Sequence, residues 1–331
     1  MSTLPNIRFG ESQHQLPRIG LGLAALGRPG YINIGHKNDM ANDYVVEAME
    51  RRTHRMLDLA YEQGIRYIDA ARSYGKAEEF LASWLRKHQP SDVFIGSKWG
   101  YTYTADWQVD AAQHEIKQHS LDQLNQQWRE SSQLLPQLDL YQIHSATLDS
   151  GVLDSKPIHE RLLALKDQGV MIGLSSSGQD QETVLRRALQ LRVGDQYLFD
   201  AVQVTYNLME QSCASVLQAC AERGMAVIIK EGLANGRLTV RNDKPDFAAQ
   251  RQQLDEIAAH YEVGIDALAL AFILHQPWAQ VVLSGAATQA HLQSNVQAAQ
   301  LQITEEHLQQ LGALATSPAA YWSQRDQLHW N

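Results

Sequence analysis

Eight apolar runs of strand length, separated by stretches of helical periodicity, constrain this chain more than any other feature. They fall at 18–24, 65–71, 93–99, 138–144, 170–176, 199–206, 225–231 and 280–285. The runs are nearly continuous in Val, Ile, Leu and Tyr, as parallel strands covered on both faces require. Amphipathic stretches at 45–64, 77–88, 159–169 and 211–224 lie between them, and several end in Gly after Gln or Arg, a helix stop signal. Eight strands with seven intervening helical regions predict an α/β fold, a (β/α)8 TIM barrel. A doubly wound open sheet is the second choice, since it rarely needs eight evenly spaced units.

Ahead of the first strand, NIRFGESQHQLPRIG reads as a β-hairpin that caps the bottom of the barrel. Segment 25–43 is a long loop on the face where barrel sites form, and 237–250 is a polar segment after the seventh strand. No repeat or linker interrupts the pattern, so residues 1–331 are expected to form a single domain.

Charge and cysteine content narrow the function classes. The chain carries 28 basic and 37 acidic residues, a net charge of −9. No basic patch emerges for nucleic acid or an anionic membrane. No stretch reaches the ~18 apolar residues of a membrane span, and the first 25 residues lack the basic start and apolar core of a signal peptide. Cys213 and Cys220 lie on one expected helix at a separation of roughly 10 Å, beyond disulfide reach. They read as small buried hydrophobes in a reduced cytoplasm.

Barrel active sites occupy the C-terminal ends of the strands, and there the sequence places four titratable groups. YIDAARSYG carries Asp69 and Tyr74, FIGSKWG carries Lys98, and DLYQIHS carries His144. Each alone is more often structural, but a buried Lys or Asp is costly unless paired. A phenol with a reference pKa of about 10 is a weak acid at neutral pH, and a nearby ammonium is expected to lower that value. Asp69 would pair with Lys98 and hold it toward Tyr74, with His144 beside the substrate oxygen. This set suits reduction of a carbonyl, and because no side chain supplies hydride, a nicotinamide is required.

The motifs Asp-x-Ala-x-x-x-Tyr-Gly, Ser-Lys and Leu-Tyr-Gln-Ile-His resemble those of the aldo-keto reductase superfamily. The resemblance runs from Gly20-Leu21-Gly22 to the C-terminal helix and is closest to the branch with the potassium-channel β-subunits and related bacterial reductases. It implies that Asp69, Tyr74, Lys98 and His144 are the catalytic tetrad, with Tyr74 as general acid. It implies an NADPH site, with NADH as an additional cofactor, and a small-molecule carbonyl or alcohol substrate. Gly22, Leu23 and Asp69 would bound the nicotinamide end. Ser175, Ser176 and Gln203 would hold the carboxamide, Ser176 standing where relatives have Asn. EGLANGRLT would wrap the pyrophosphate, through Glu231, Gly232, Leu233, Ala234, Gly236 and Leu238, with Lys230 just before it also at the cofactor. Gly285, Ala287, His291 and Asn295 would grip the adenosine phosphate.

Two departures stand out. Lys230 occupies the position of an aromatic that stacks on the nicotinamide in relatives. A cation cannot stack so, and it disfavours the positively charged oxidised ring. Lys230 is expected either to pair with Glu231 or another acid, or to contact cofactor phosphate or substrate. At the adenosine end, Ala287 and His291 replace stronger cations, so a smaller than usual preference for NADPH is expected.

Rival readings are a cofactor-binding regulatory or partner-binding protein with little catalysis, and an aldolase-like barrel using Lys98 or Lys230 as a Schiff base. The Asp, Tyr and His beside Lys98 argue against the latter. The 13 histidines include no His-x-His or His-Glu-x-x-His, which argues against a metallohydrolase. Trp99, Trp107, Tyr31, Tyr101 and Tyr103 cluster in or beside rim loops. Arg28, Arg72, Arg325 and His36 are candidates for binding a substrate carboxylate or phosphate.

Overall fold

A computed structural model describes residues 4–331. The strands in chain order are β1 (Asn6–Arg8), β2 (Gln15–Pro17), β3 (Ile19–Gly22), β4 (Tyr67–Asp69), β5 (Phe94–Trp99), β6 (Tyr101–Tyr103) and β7 (Glu115–Lys117). There follow β8 (Leu140–Ile143), β9 (Met171–Ser176), β10 (Arg192–Val193), β11 (Gln196–Tyr197), β12 (Ala201–Thr205), β13 (Ala226–Lys230) and β14 (Val281–Ser284). Eight of them close a parallel barrel in the order β3-β4-β5-β8-β9-β12-β13-β14, and β14 pairs back onto β3. Every expected strand is present at its expected place, and closure excludes the open-sheet alternative.

The helices form for ordinary reasons. Val46–Glu62 buries Met49, Thr53, Met56, Leu57 and Ala60, a stripe at three- and four-residue spacing. Ser120, Thr288, Thr304 and Ser317 cap the helices Leu121–Leu134, Gln289–Gln297, Glu305–Gly312 and Pro318–Asp326 by accepting a backbone N–H. Each such cap is worth about 1 kcal/mol. Among the described residues no single helix is long and apolar enough to cross a membrane.

The N-terminal hairpin closes the barrel bottom as expected. β1 and β2 pair antiparallel with Ile7 opposite Leu16. Phe9 and Leu16 pack against Tyr67, Phe94, Leu140 and Ala226, all at strand starts. Gly10 permits this approach: it sits at φ +58, and a Cβ there would lie 2.8 Å from the Ala226 nitrogen and the Gly224 oxygen.

Departures from the expected pattern occur on loops, among them the short hairpin β10–β11 ahead of β12. The rim segment after β5 forms the antiparallel hairpin β6–β7, in register through Thr102 and Ile116. The loop at 25–43 contains a short helix, His36–Asp39. Within 237–250 lies a 3-10 turn, Pro245–Phe247, leading into the helix Ala248–His260.

Candidate active site

Asp69 ends β4 between two glycine neighbours, paired in register with Gly22 and Gly96. Gly96 is required there, because a Cβ would stand 2.6 Å from the Tyr67 hydroxyl. Tyr67 donates to Asp69 Oδ1 at 3.2 Å, and Gln203 and Gln142 donate to the same oxygen at 2.8 and 3.4 Å. Asp69 Oδ2 receives the Lys98 ammonium at 2.5 Å. Lys98 is fully buried, and its Nζ also donates to the Ala70 carbonyl at 2.9 Å and to the Tyr74 hydroxyl at 3.3 Å. The pairing expected of Asp69, Lys98 and Tyr74 is therefore present.

His144 completes the group. Its Nδ1 lies 3.3 Å from the Ser73 hydroxyl, and its ring stands edge-on to Tyr74 at 5.4 Å between centroids. Burial first, then the charges of Lys98, Arg28 and Lys230, hold the His144 pKa well below 6.5, so the ring is neutral at pH 7.

The Tyr74 phenol departs from expectation. Its pKa lies well above 10, raised first by burial and then by the Asp69 carboxylate. The ammonium of Lys98 is largely compensated by Asp69 at 2.5 Å. Tyr74 thus retains its proton. Lys98 is itself lowered by burial, against the opposing pull of Asp69.

Lys230, at the end of β13, does not pair directly with Glu231. Its Nζ donates to the hydroxyls of Ser177 and Thr205 at 2.7 and 2.8 Å. Thr205 in turn donates to Glu231 Oε2 at 3.1 Å, and Glu231 Oε1 is paired with Arg325 at 3.3 Å. Burial brings the Lys230 pKa down to about 8, with Glu231 opposing. For Glu231, burial acts upward, but Lys230 and Arg325 bring the pKa down to about 2. Glu231 holds a left-handed backbone at φ +53, a conformation that costs a non-glycine residue roughly 1 kcal/mol or more.

These groups open onto one cavity of about 580 Å³, the size of a small-molecule or cofactor site (roughly 300–1,000 Å³). Tyr74 and His144 line one end, together with Gly22, Asp69, Gln203 and Lys230. Glu231, Gly232, Leu233 and Gly236 line it from the loop after β13. Gly285, His291 and Asn295 line it from the loop after β14 and the helix Gln289–Gln297.

Six of the expected cofactor residues do not line the cavity: Leu23, Ser175, Ser176, Ala234, Leu238 and Ala287 are buried, and Lys98 is buried behind Tyr74 and Asp69. Ser175 Oγ accepts from the Ser145 nitrogen at 2.8 Å, and Ser176 Oγ donates to the Ala146 carbonyl at 3.2 Å. Both serines lie inside β9 and face backbone, whereas Ser177, one residue beyond, lines the cavity.

Three of the candidate anion ligands are already paired. Arg28 donates to Glu115 and to the Ser73 carbonyl, both at 2.9 Å, and lies 4.6 Å from the centre of the Trp330 ring. Arg325 holds Glu231, and Arg72 bridges Glu78 and Glu130. His36 is fully buried. Arg28 and Arg325 line the cavity; Arg72 and His36 do not.

Sequence reasoning missed Arg241, a cation at the His291 end. Asp39 holds it through two hydrogen bonds, one of them 2.7 Å, and the Ile34 and Gly35 carbonyls accept from it at 3.2 Å each. His291 Nε2 stands 3.4 Å from the same guanidinium. Trp330 and Tyr31, near the Tyr74 end, are further lining residues. Asn331 pairs with Tyr31 through reciprocal backbone bonds of 3.1 Å.

The cavity fits a dinucleotide in its chemistry. Gly285 leaves the backbone open, since a Cβ there would meet nothing within 4 Å, and at Gly22 it would meet only the Ser284 oxygen at 3.6 Å. Cations stand at both ends, Lys230 near Tyr74 and Arg241 beside His291.

The family model for the aldo/keto reductase family matches residues 18–316. Among similar proteins are a D-threo-aldose 1-dehydrogenase from a Pseudomonas species, 26% identical over 86% of this chain and 92% of its own, and an NADH-specific methylglyoxal reductase from Escherichia coli, 23% identical over 91% and 95%. An aldo-keto reductase from Bacillus halodurans, solved in its holo form, superposes with a TM-score of 0.72 at 21% identity, covering 95% of this chain and 97% of that one. With a match spanning nearly the whole barrel, the chain belongs to the aldo/keto reductase family and is an NAD(P)H-dependent oxidoreductase.

Proposed function

We propose that this protein is a carbonyl reductase that reduces an aldehyde or ketone, and oxidises the alcohol in reverse, with Tyr74 as general acid. The observation that carries this reading is the Tyr74 hydroxyl, 3.3 Å from an ammonium locked on Asp69 and edge-on to a neutral imidazole, at one end of the cavity. A reduced nicotinamide, when bound, supplies the hydride. Gly22, Gln203, Lys230, the loop from Glu231 to Gly236, Gly285, His291 and Asn295 would hold it, with Arg241 added at the adenosine end. Ser175 and Ser176 would act indirectly, by fixing the turn that presents Ser177.

Tyr74 gives its proton to the substrate oxygen as negative charge develops there. The phenolate left behind faces the Lys98 ammonium, which stabilises it. Asp69 keeps that ammonium charged and aimed. If Nδ1 of His144 accepts the Ser73 hydroxyl, its proton sits on Nε2, free to donate to the substrate oxygen. The whole chain working as one domain is supported by Trp330 and Asn331, which pack on the loop after β3.

For the cofactor we favour NADPH with a modest preference over NADH, because Arg241 is already neutralised by Asp39. Two free, buried cysteines suit a reducing cytoplasm. A panel of aldehydes, ketones and sugars, followed by NADPH and NADH oxidation, tests the activity. Tight cofactor binding without turnover of any panel member would move the assignment to a cofactor-binding regulatory protein.

A further inference from the structure

The charges around the Tyr74 end of the cavity do not balance. Arg28 is paired with Glu115, Lys98 with Asp69 and Arg325 with Glu231. His144 is neutral and Tyr74 keeps its proton. Among the described charged side chains that meet here, Lys230 alone has only hydroxyl partners, Ser177 and Thr205. Glu231, which Arg325 already holds, is the charge Lys230 feels most, followed by Arg325, Lys98 and Asp69, and Lys230 in turn depresses the His144 imidazole.

Carbonyl reduction changes the charge of the ring that must sit at this end. Hydride leaves the reduced nicotinamide with both electrons and bonds to the carbonyl carbon, while Tyr74 gives its proton to the oxygen. The ring passes from neutral to a charge of +1. A fixed ammonium nearby acts on the second state and hardly on the first.

We propose that Lys230 sets the redox balance of the bound nicotinamide, weakening the oxidised form relative to the reduced form and so biasing the site toward carbonyl reduction. The inference rests on the reductase reading and adds a role that the four proton-transfer residues do not supply. Any attraction of Lys230 for the cofactor phosphates is common to both redox states and cancels in their ratio.

The bias has a pH signature. Lys230 is charged below about 8 and neutral above it. Glu231 stays anionic, with its pKa near 2, and Arg325 and Tyr74 are raised and keep their protons. His144 is already neutral, being held well below 6.5, and Asp69 is paired with Lys98. Lys98 is also lowered, so the assignment to Lys230 requires variants.

The test is direct titration of NADP⁺ and NADPH by quenching of tryptophan fluorescence, from pH 7 to pH 9. The protein as it stands is compared with Lys230→Met and Lys230→Arg. The expected result at pH 7 is that Lys230→Met tightens NADP⁺ by about tenfold relative to NADPH, while Lys230→Arg keeps the original ratio. The original ratio should drift toward NADP⁺ between pH 7 and pH 9, and in Lys230→Arg it should stay flat. An unchanged ratio in Lys230→Met overturns the inference, as does an equal change in both constants, which would assign Lys230 to the phosphates. A pH drift that persists in Lys230→Arg also overturns it. Failure of every form to bind either cofactor would instead remove the reductase reading itself.

Discussion

Asp39 and Arg241 lie 202 residues apart and meet as a two-point ion pair beside His291. The pair ties the loop after β3 to the loop after β13. It also neutralises a cation that lines the cavity there, the one proposed above to meet the adenosine end of the cofactor.

Removing the acid should therefore change cofactor choice. Asp39→Asn frees the Arg241 guanidinium, and a charge-assisted bond to a phosphate is worth about 1.5–3 kcal/mol, so the preference for NADPH over NADH should rise about tenfold or more. Dissociation constants for both cofactors at pH 7.5 check this. A preference of several hundredfold before any substitution would show that Asp39 does not restrain Arg241.

The buried Lys98–Asp69 pair predicts an asymmetric stability cost. Lys98→Met leaves a carboxylate buried among Tyr67, Gln142 and Gln203, and breaking such a pair costs about 3–5 kcal/mol. Adding Asp69→Asn should recover part of that loss, because no uncompensated charge remains. Urea unfolding of the single and double variants measures the difference. Equal stability of the two would mean that Asp69 is not charged in the folded protein.

Acid should destabilise the fold in part through His36. Burial lowers its pKa from 6.5 to about 4. Above pH 6.5 the imidazole is neutral in both states, so its contribution is constant. Between 6.5 and 4 the unfolded chain binds the proton and the folded chain does not, so stability falls with pH, by up to about 3 kcal/mol. The unfolding midpoint should drop less between pH 7.5 and pH 5 in His36→Phe than in the parent. An identical drop in both would remove His36 from the effect.

At the opposite end of the barrel, Phe9→Ala should cost about 3–5 kcal/mol, since the ring is fully buried under the strand starts. The protein that remains folded should reduce substrate at the parental rate. A change in cofactor affinity would contradict the separation of the barrel floor from the site.

The parts of this site that could be read from sequence are those set by local pattern. Each barrel strand is a short apolar run, and Asp69, Lys98 and His144 mark where three of them end. Contacts that need the chain to return from afar left no such mark. Asp39 and Arg241 belong to separate polar loops, and β6 and β7 are three-residue strands whose pairing only the closed rim reveals. Adjacency was misleading for Lys230 and Glu231: β13 ends at Lys230, and the left-handed Glu231 that follows turns toward Arg325, leaving Thr205 between the charges. Ser175 and Ser176 are taken up by the Ser145 and Ala146 backbone of the neighbouring loop, which leaves Ser177 to the cavity. The phenol of Tyr74 is pushed up rather than down because burial and the 2.5 Å Asp69–Lys98 contact are three-dimensional facts.

With Tyr74 as the proposed general acid, its proton is the one passed to the substrate oxygen. This role is tested by kcat for NADPH-dependent reduction of the best aldehyde found, in the parent and in Tyr74→Phe, with the NADPH dissociation constant measured alongside. In Tyr74→Phe kcat should fall by at least about a hundredfold, the low end for losing a general acid, with cofactor affinity within about twofold of the parent. Turnover by Tyr74→Phe at the parental rate would contradict it.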